Sequence, residues 1–173
     1  CCHRAASVKE EIAFALQHED LAGIFGKLLE NGEVPLRVTH NDTKLNNIMI
    51  DLETGKGICV VDLDTVMPGL AMNDFGDAIR FGASTALEDE KDLSKVSCDM
   101  ELYEIYVKGF LESCGDKLNA REIEMLPMGA KVMTYECGIR FLTDYLEGDH
   151  YFKIDREDHN LDRCRTQFKL VAD

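Results

Sequence analysis

Long apolar runs and basic residues are both scarce in this sequence. No apolar segment approaches the roughly 20 residues that a membrane span requires. Lys and Arg number 19 against 33 Asp and Glu, so the formal net charge is −14. Because phosphate backbones recruit basic surfaces, this balance argues against a nucleic-acid partner. We expect a soluble protein that binds neither nucleic acid nor membrane, and the 45% hydrophobic content is enough for the core of one domain.

Paired cysteine motifs are also missing. The seven cysteines are odd in number and none has CxxC spacing. This pattern favours buried, reduced thiols in a cytoplasmic protein over a disulfide framework or a zinc site. Cys59, in the apolar run GICVVDL, is typical of it. The chain starts at Cys1 without a methionine, which suggests a fragment, a processed product or a trimmed chain.

A phosphate-binding loop of the form GxxxxGK[ST] is absent too. The run Gly55-Lys56-Gly57 instead separates two short apolar segments, residues 48–51 and 58–62. We interpret it as a turn that joins two strands in a hairpin. A further short strand is predicted at residues 36–40.

Downstream of these strands, the sequence predicts helices almost throughout. Apolar residues recur at three- and four-residue steps, and Asn119 and Glu122 have the spacing of a capping box. No internal repeat or long linker interrupts the chain. We therefore expect one α+β unit, mainly helical, over residues 1–173. The predicted helices are residues 1–30, 74–79, 99–113, 119–146 and 161–170.

The chemistry is concentrated in the run THNDTKLNN at residues 39–47 and in VVDLD at residues 60–64. Phosphoryl transfer from a nucleotide needs a carboxylate for the attacking hydroxyl, oxygen ligands for Mg²⁺ and a positive charge near the phosphate. Asp42, in a loop after a strand, is the candidate base. Lys44 is the candidate phosphate contact, while Asn47 and Asp62 are the candidate metal ligands.

These motifs resemble a known family. HNDTKLNN is similar to the protein-kinase catalytic loop H-R-D-L-K-x-x-N, and more closely to that of aminoglycoside phosphotransferases and choline kinases. VVDLD resembles their second metal-binding segment. Within that group, DTKLNNIMID, VVDLDTVMPGLAMNDFGDAIR, RFLTDYLEGDHYFK and RCRTQFKL resemble the N-acetylhexosamine 1-kinase branch of sugar kinases. The resemblance covers roughly residues 35 to 170.

The resemblance implies a protein-kinase-like C-terminal lobe in which a small β-hairpin patch carries the catalytic loop. It also implies ATP and Mg²⁺ as cofactors, and the anomeric hydroxyl of an N-acetylhexosamine as the phosphate acceptor. The N-terminal lobe that covers the nucleotide is not recognisable in the sequence. We therefore expect a fragment of a two-lobe kinase, inactive by itself. The alternatives are a kinase for an aminoglycoside, choline-like alcohol or other sugar, and a non-catalytic binding module of the same fold.

A second motif, Asp74-Phe75-Gly76, spells the metal triplet of protein kinases. Asp62 already occupies the corresponding place after the catalytic loop. In the resembling family an acidic residue here opens the next helix and braces that loop. We interpret Asp74 as a helix N-cap and Asp77 as a first-turn carboxylate beside the loop, with a direct metal role as the alternative. His40 is expected to fix the loop by hydrogen bonds rather than to shuttle protons.

The acceptor contacts are predicted in the late helical region. There the resemblance implies that Arg140 donates to sugar hydroxyls or an acetamide and that Tyr151 lines the ring. The simpler interpretation is core packing, with Arg140 paired to Asp144 at i,i+4 spacing. Asp64 is predicted to be a second metal ligand or a sugar contact, and the alternative is a solvated or loop-bonded carboxylate. Asp149 and His150 are expected to be solvated loop residues rather than metal ligands.

Overall fold

The computed structural model describes residues 3–173, and Cys1 and Cys2 lie outside them. The described chain is mainly helical with two small antiparallel sheets, as expected for an α+β kinase-like lobe. None of its helices is both long and apolar enough to cross a bilayer. The helices are α1 Lys9–Gln17, α2 Ile24–Glu30, α3 Ala71–Gly82, α4 Met100–Cys114, α5 Ala120–Glu124, α6 Leu126–Glu147 and α7 His159–Ala172, and the strands are β1 Arg37–Thr39, β2 Ile48–Ile50, β3 Gly57–Val60 and β4 Met67–Gly69.

The two sheets differ in how far apart their strands lie in the sequence. β2 and β3 form the predicted hairpin, with Ile48 opposite Val60 and a register shift after Met49. β1 pairs instead with β4, where Val38 lies opposite Pro68. Strand β4 was not predicted, because proline and glycine are depleted in strands and its sequence is Met-Pro-Gly. This second sheet joins the start of the loop at residues 40–47 to the start of α3.

Several helix boundaries differ from the prediction. The first 30 residues are interrupted at His18, so α1 and α2 are separated by a 3₁₀ segment. The capping box of Asn119 and Glu122 is confirmed, but its helix ends at Glu124. Pro127 lies in the first turn of the next helix, where it supplies no backbone N–H to continue the ladder. Helix α6 ends as predicted at Gly148, whose φ of 110° is left-handed.

Helices α3 and α6 cross at a pair of glycines. A Cβ on Gly76 would lie 2.2 Å from the backbone oxygen of Gly129, and a Cβ on Gly129 would lie 2.2 Å from the backbone oxygen of Met72. Phe75, next to Gly76, is fully buried in the core that α2, α3, α4 and the first half of α6 share. Phe75 and Gly76 of the kinase-like triplet therefore serve helix packing. A second core lies between α1, the end of α6 and α7.

The β2–β3 hairpin lies outside both cores, and every residue of its strands is exposed. Cys59 is exposed with them, which corrects the expectation that it is buried. Cys164 is buried, and the other three described cysteines are half-buried. All five described thiols are free, as predicted.

Candidate active site

Asp74 holds the loop 40–47 through hydrogen bonds to its carboxylate and its backbone oxygen. The backbone N–H groups of His40 and Asn41 donate to the two carboxylate oxygens of Asp74, each at 2.8 Å, and the Thr43 hydroxyl donates to the Asp74 backbone oxygen at 2.5 Å. The predicted bracing role of this residue is confirmed. Its prediction as an N-cap is wrong, because α3 begins at Ala71 and Leu70 holds the cap position.

The loop also forms hydrogen bonds with residues 61–65. His40 Nε2 donates to the Val61 oxygen at 3.1 Å, and the Thr65 hydroxyl donates to the His40 oxygen at 2.6 Å. The Asn41 amide donates to the Thr65 oxygen at 2.9 Å. His40 therefore fixes the loop, as expected. Its Nδ1 is buried and has no hydrogen-bond partner within residues 3–173.

Asp42 has two differently used carboxylate oxygens. Lys44 Nζ at 2.6 Å and Asn47 Nδ2 at 2.8 Å both donate to Oδ2. Oδ1 accepts no hydrogen bond from the described residues, and the side chain is 26% exposed. Burial raises the pKa of Asp42, but the hydrogen bonds from Lys44 and Asn47 and nearby positive charge together outweigh it, so the pKa lies below its ordinary value of 3.8. The carboxylate is thus ionised at neutral pH with one oxygen available.

Asn47 and Asp62 lie where the loop 40–47 contacts residues 61–65. The Val61 N–H donates to the Asn47 backbone oxygen at 2.9 Å. The buried Asn47 side chain uses its Nδ2 on Asp42, which leaves its Oδ1 as an oxygen donor. Asp62 is exposed, and its φ of 64° is left-handed, a conformation that concentrates at functional sites. Asn41 shares this conformation, with φ 63°.

One amide and one carboxylate oxygen suit Mg²⁺, which keeps several waters and takes further ligands from phosphates. In residues 3–173 no group of three or more His, Cys, Asp or Glu side chains could hold a metal by itself. The donor set at Asn47 and Asp62 therefore fits a hydrated ion that is bound together with a nucleotide.

A cleft of about 590 Å³ brings together residues predicted from distant parts of the sequence. The residues that line it include Asp42, Lys44, Arg140 and Tyr151. Asp64 does not line it, although the neighbouring Thr65 does. A cavity of about 640 Å³ lies next to the cleft, but none of the predicted site residues lines it.

Arg140 faces aromatic rings rather than a carboxylate. Its guanidinium carbon lies 5.8 Å from the ring centroid of Tyr151 and 5.5 Å from that of Phe152. The predicted ion pair with Asp144 is absent among the described residues, because Asp144 accepts three backbone N–H groups from residues 150–152. Tyr151 is 74% exposed, so the core-packing interpretation is wrong for it.

The floor of the cleft contains an ion-pair cluster that the sequence analysis missed. Arg80 contacts Asp77 at 2.9 Å and Glu88 at 2.7 Å, and all three residues line the cleft. Asp77 is in the second turn of α3 rather than the first and is buried. The i,i+3 spacing of Asp77 and Arg80 was the available signal for their pairing.

Asp149 is another correction, since it is not solvated. Its side chain pairs with Arg4 and accepts from Asn160 Nδ2 at 2.9 Å. His150 is exposed, as expected. Both residues belong to the loop 148–152, which carries Tyr151 to the cleft.

Comparison with known protein families identifies the family of the chain. The family model described as Phosphotransferase enzyme family matches residues 2–104, which is more than half of the chain. The matched segment contains the loop 40–47, residues 60–64 and the bracing Asp74. The chain therefore belongs to the phosphotransferase enzyme family, the group of aminoglycoside phosphotransferases and related kinase-like enzymes.

Proposed function

We propose that this chain is the C-terminal, catalytic lobe of an ATP-dependent kinase that phosphorylates a small-molecule hydroxyl. The observation that carries the proposal is the state of Asp42. Its Oδ2 is fixed by Lys44 and Asn47, while its Oδ1 is available in a cleft large enough for a small acceptor. A base must lie within hydrogen-bond reach of the proton it takes, and Oδ1 is the oxygen of Asp42 to which no described residue donates.

In the proposed reaction, Asp42 orients the acceptor hydroxyl and receives its proton on Oδ1. The hydroxyl oxygen forms a bond to the γ-phosphorus as the bond between that phosphorus and the bridging β–γ oxygen breaks. Lys44 Nζ donates a hydrogen bond to Asp42 Oδ2 at 2.6 Å. Its ammonium group therefore lies beside the attacking hydroxyl and can contact the transferred phosphate. Because Lys44 keeps the pKa of Asp42 low, the carboxylate acts mainly by positioning the nucleophile.

Asn47 and Asp62 are the residues that would hold Mg²⁺ in this proposal. The ion supplies charge neutralisation for the phosphates when it is bound. Asn47 has a second role that does not involve the metal, since its Nδ2 donates to both the backbone and the side chain of Asp42 at 2.8 Å. The same amide therefore orients the base with one atom and offers an oxygen with the other.

The proposed acceptor is the anomeric hydroxyl of an N-acetylhexosamine. Binding sites for small polar molecules combine aromatic walls with a few hydrogen-bonding groups. Arg140 can supply the hydrogen-bonding group. Its guanidinium makes no hydrogen bond or ion pair among the described residues, and it lies beside two aromatic rings. Tyr151 can supply the aromatic wall, and Asp64 is a secondary candidate for a sugar contact.

The nucleotide-covering lobe is proposed to pack on the exposed hairpin. Met49, Ile50, Ile58 and Val60 are apolar, and each is at least 46% exposed on β2 and β3. Several exposed apolar side chains on one short hairpin favour an interaction site. In this arrangement ATP binds between the hairpin and the second lobe, so the 173-residue chain alone is expected to be inactive.

A phosphorylation panel on the two-lobe enzyme tests the proposal. With Mg²⁺ and ATP, N-acetylgalactosamine and N-acetylglucosamine should yield 1-phosphates that ³¹P NMR identifies. Galactose, choline and an aminoglycoside are the matched alternative acceptors. Turnover of choline or the aminoglycoside without the N-acetylhexosamines would contradict the acceptor assignment, and binding of ATP without turnover of any acceptor would favour a non-catalytic module.

A further inference from the structure

Asp144 is a buried carboxylate that the proposed reaction does not use. It is 3% exposed and lies near the C-terminal end of α6. Its Oδ1 accepts the backbone N–H groups of His150 at 2.9 Å and Tyr151 at 2.8 Å. Its Oδ2 accepts the N–H of Phe152 at 2.9 Å and the side-chain Nδ2 of Asn160 at 2.8 Å. Four donors thus compensate the burial of one charge.

This carboxylate is not needed to end the helix. The N–H of Gly148 donates to the backbone oxygen of Asp144 at 3.0 Å, and the N–H of Asp149 donates to the same oxygen at 2.8 Å. Gly148 adopts the left-handed conformation that terminates helices. The backbone therefore terminates α6, and the side chain of Asp144 is left to bind the chain that follows.

The bonds of Asp144 extend to two further elements. Asn160, fully buried at the start of α7, donates through the same nitrogen to Asp144 and to Asp149. Asp149 in turn pairs with Arg4, whose guanidinium also donates to the Tyr145 oxygen at 2.8 Å. The loop 148–152 is thus held by α6, α7 and the N-terminal segment together.

We propose that Asp144 is a positioning residue for acceptor binding. It fixes the backbone of residues 150–152 so that the rings of Tyr151 and Phe152 face Arg140 across one wall of the cleft. This inference rests on the proposed function for its acceptor, but the restraint on the loop itself does not. Asp144 borders a smaller pocket beside Arg140 and Tyr151 but does not line the cleft that contains Asp42, so it acts on that cleft through the loop.

Amide exchange in the unmodified 173-residue chain is the first test. The N–H groups of Tyr151 and Phe152 should exchange at least about tenfold more slowly than those of Lys153 and Ile154, which make no hydrogen bond among the described residues. Equal exchange at all four amides would overturn the proposed restraint, whatever the acceptor is.

The variant Asp144→Asn is the second test. An amide oxygen can replace only one of the two carboxylate oxygens, so exchange at residues 150–152 should rise about tenfold. Asn160→Ala removes one donor to Asp144 and leaves the three loop bonds, so it should raise exchange at residues 150–152 by less. This variant keeps the test possible if Asp144→Asn folds poorly. Thr134→Ala is the control: Thr134 is buried on α6 and bonds only within its own helix. It should lower the melting temperature without changing exchange in the loop.

Binding of N-acetylglucosamine and N-acetylgalactosamine, titrated into the same chains and followed by NMR, is the third measurement. The dissociation constant should rise about tenfold in Asp144→Asn and stay unchanged in Thr134→Ala. If the original chain binds either sugar and Asp144→Asn binds it equally well, the positioning role is wrong. If the original chain binds neither sugar, the proposed acceptor and the role of Asp144 in binding it both fail, while the exchange data still decide the restraint on the loop.

Discussion

Two loops line the same cleft, and a carboxylate on a helix holds each of them. Asp74 accepts two consecutive backbone N–H groups from the loop 40–47, and Asp144 accepts three from the loop 148–152. The loops differ in their side chains. Asp42 is fixed by Lys44 and Asn47, whereas the 74% exposed side chain of Tyr151 has only ring contacts among the described residues.

This difference matches the roles that the proposed function gives to each loop. A reacting group must be held within a fraction of an ångström, because a misplacement of about 1 Å can cost roughly 100-fold in rate. A ring that lines an acceptor tolerates more movement, so it is enough to fix its backbone. The arrangement allows acceptor preference to change through a few side chains of the loop 148–152 while the loop 40–47 stays the same.

The largest effect is expected from Asp42→Asn in the two-lobe enzyme. This variant keeps the size of the side chain but removes the proton acceptor and its charge. Because a positioned base typically contributes about 10²- to 10⁴-fold, kcat should fall by that range while ATP binding stays near normal. Steady-state kinetics and nucleotide titration measure the two effects. The matched control is Asp116→Asn, an exposed carboxylate outside the cleft, which should leave kcat unchanged.

The next effect should come from Asp74→Asn. One of the two N–H groups that Asp74 accepts would lose its acceptor, and hydrogen bonds to charged groups contribute about 1.5–3 kcal/mol. We expect kcat to fall about 10- to 100-fold with little change in the KM for the acceptor. Asp144→Asn should do the opposite and raise that KM with little change in kcat. If both variants alter the same kinetic parameter, the assignment of catalysis to the loop 40–47 and acceptor binding to the loop 148–152 is wrong.

A smaller effect is expected from Arg140→Ala. Loss of the guanidinium donors should raise the KM for the sugar about tenfold and leave the KM for ATP unchanged. Lys153→Ala is the control, because Lys153 lines the same cleft but its side chain is 90% exposed and pairs only weakly with Asp155. Equal changes in both KM values for Arg140→Ala would assign Arg140 a structural role instead.

The smallest effect concerns the pKa of Asp42 in the isolated chain. Lys44→Met removes a hydrogen bond and a nearby positive charge, so the pKa of Asp42 should rise toward its ordinary value of 3.8. A group whose pKa is lowered by folding stabilises the fold above its unfolded pKa and loses this contribution as the pH falls through its folded pKa. The stability difference between the original chain and Lys44→Met should therefore shrink below pH 3.8.

Carboxyl ¹³C NMR titration measures this change, and Asp51 is its internal control. The amides of Thr54 and Glu53 lower the pKa of Asp51 independently of Lys44, so it should titrate identically in both chains. An unchanged pKa for Asp42 in Lys44→Met would show that the bond between the two side chains is absent in solution.

Local spacing made much of this structure predictable. The β2–β3 hairpin, the capping box at Asn119 and the helix end at Gly148 each depend on residues close together in the sequence. The pairing of β1 with β4 could not be predicted, because Thr39 and Met67 are distant in the sequence and β4 contains Pro68 and Gly69. Pro127 was a local signal for the break between α5 and α6.

The sequence by itself determined the chemistry of the loop 40–47. The spacing of Asp42, Lys44 and Asn47 places all three in one short loop, where both other side chains donate to the Asp42 carboxylate. Only the tertiary structure decided what the late residues do. Asp144 lies four residues from Arg140, which favours an ion pair by helix geometry, yet it binds three backbone amides instead. Those amides have no other acceptor among the described residues, and they compensate the cost of burying the Asp144 carboxylate, which is 3% exposed.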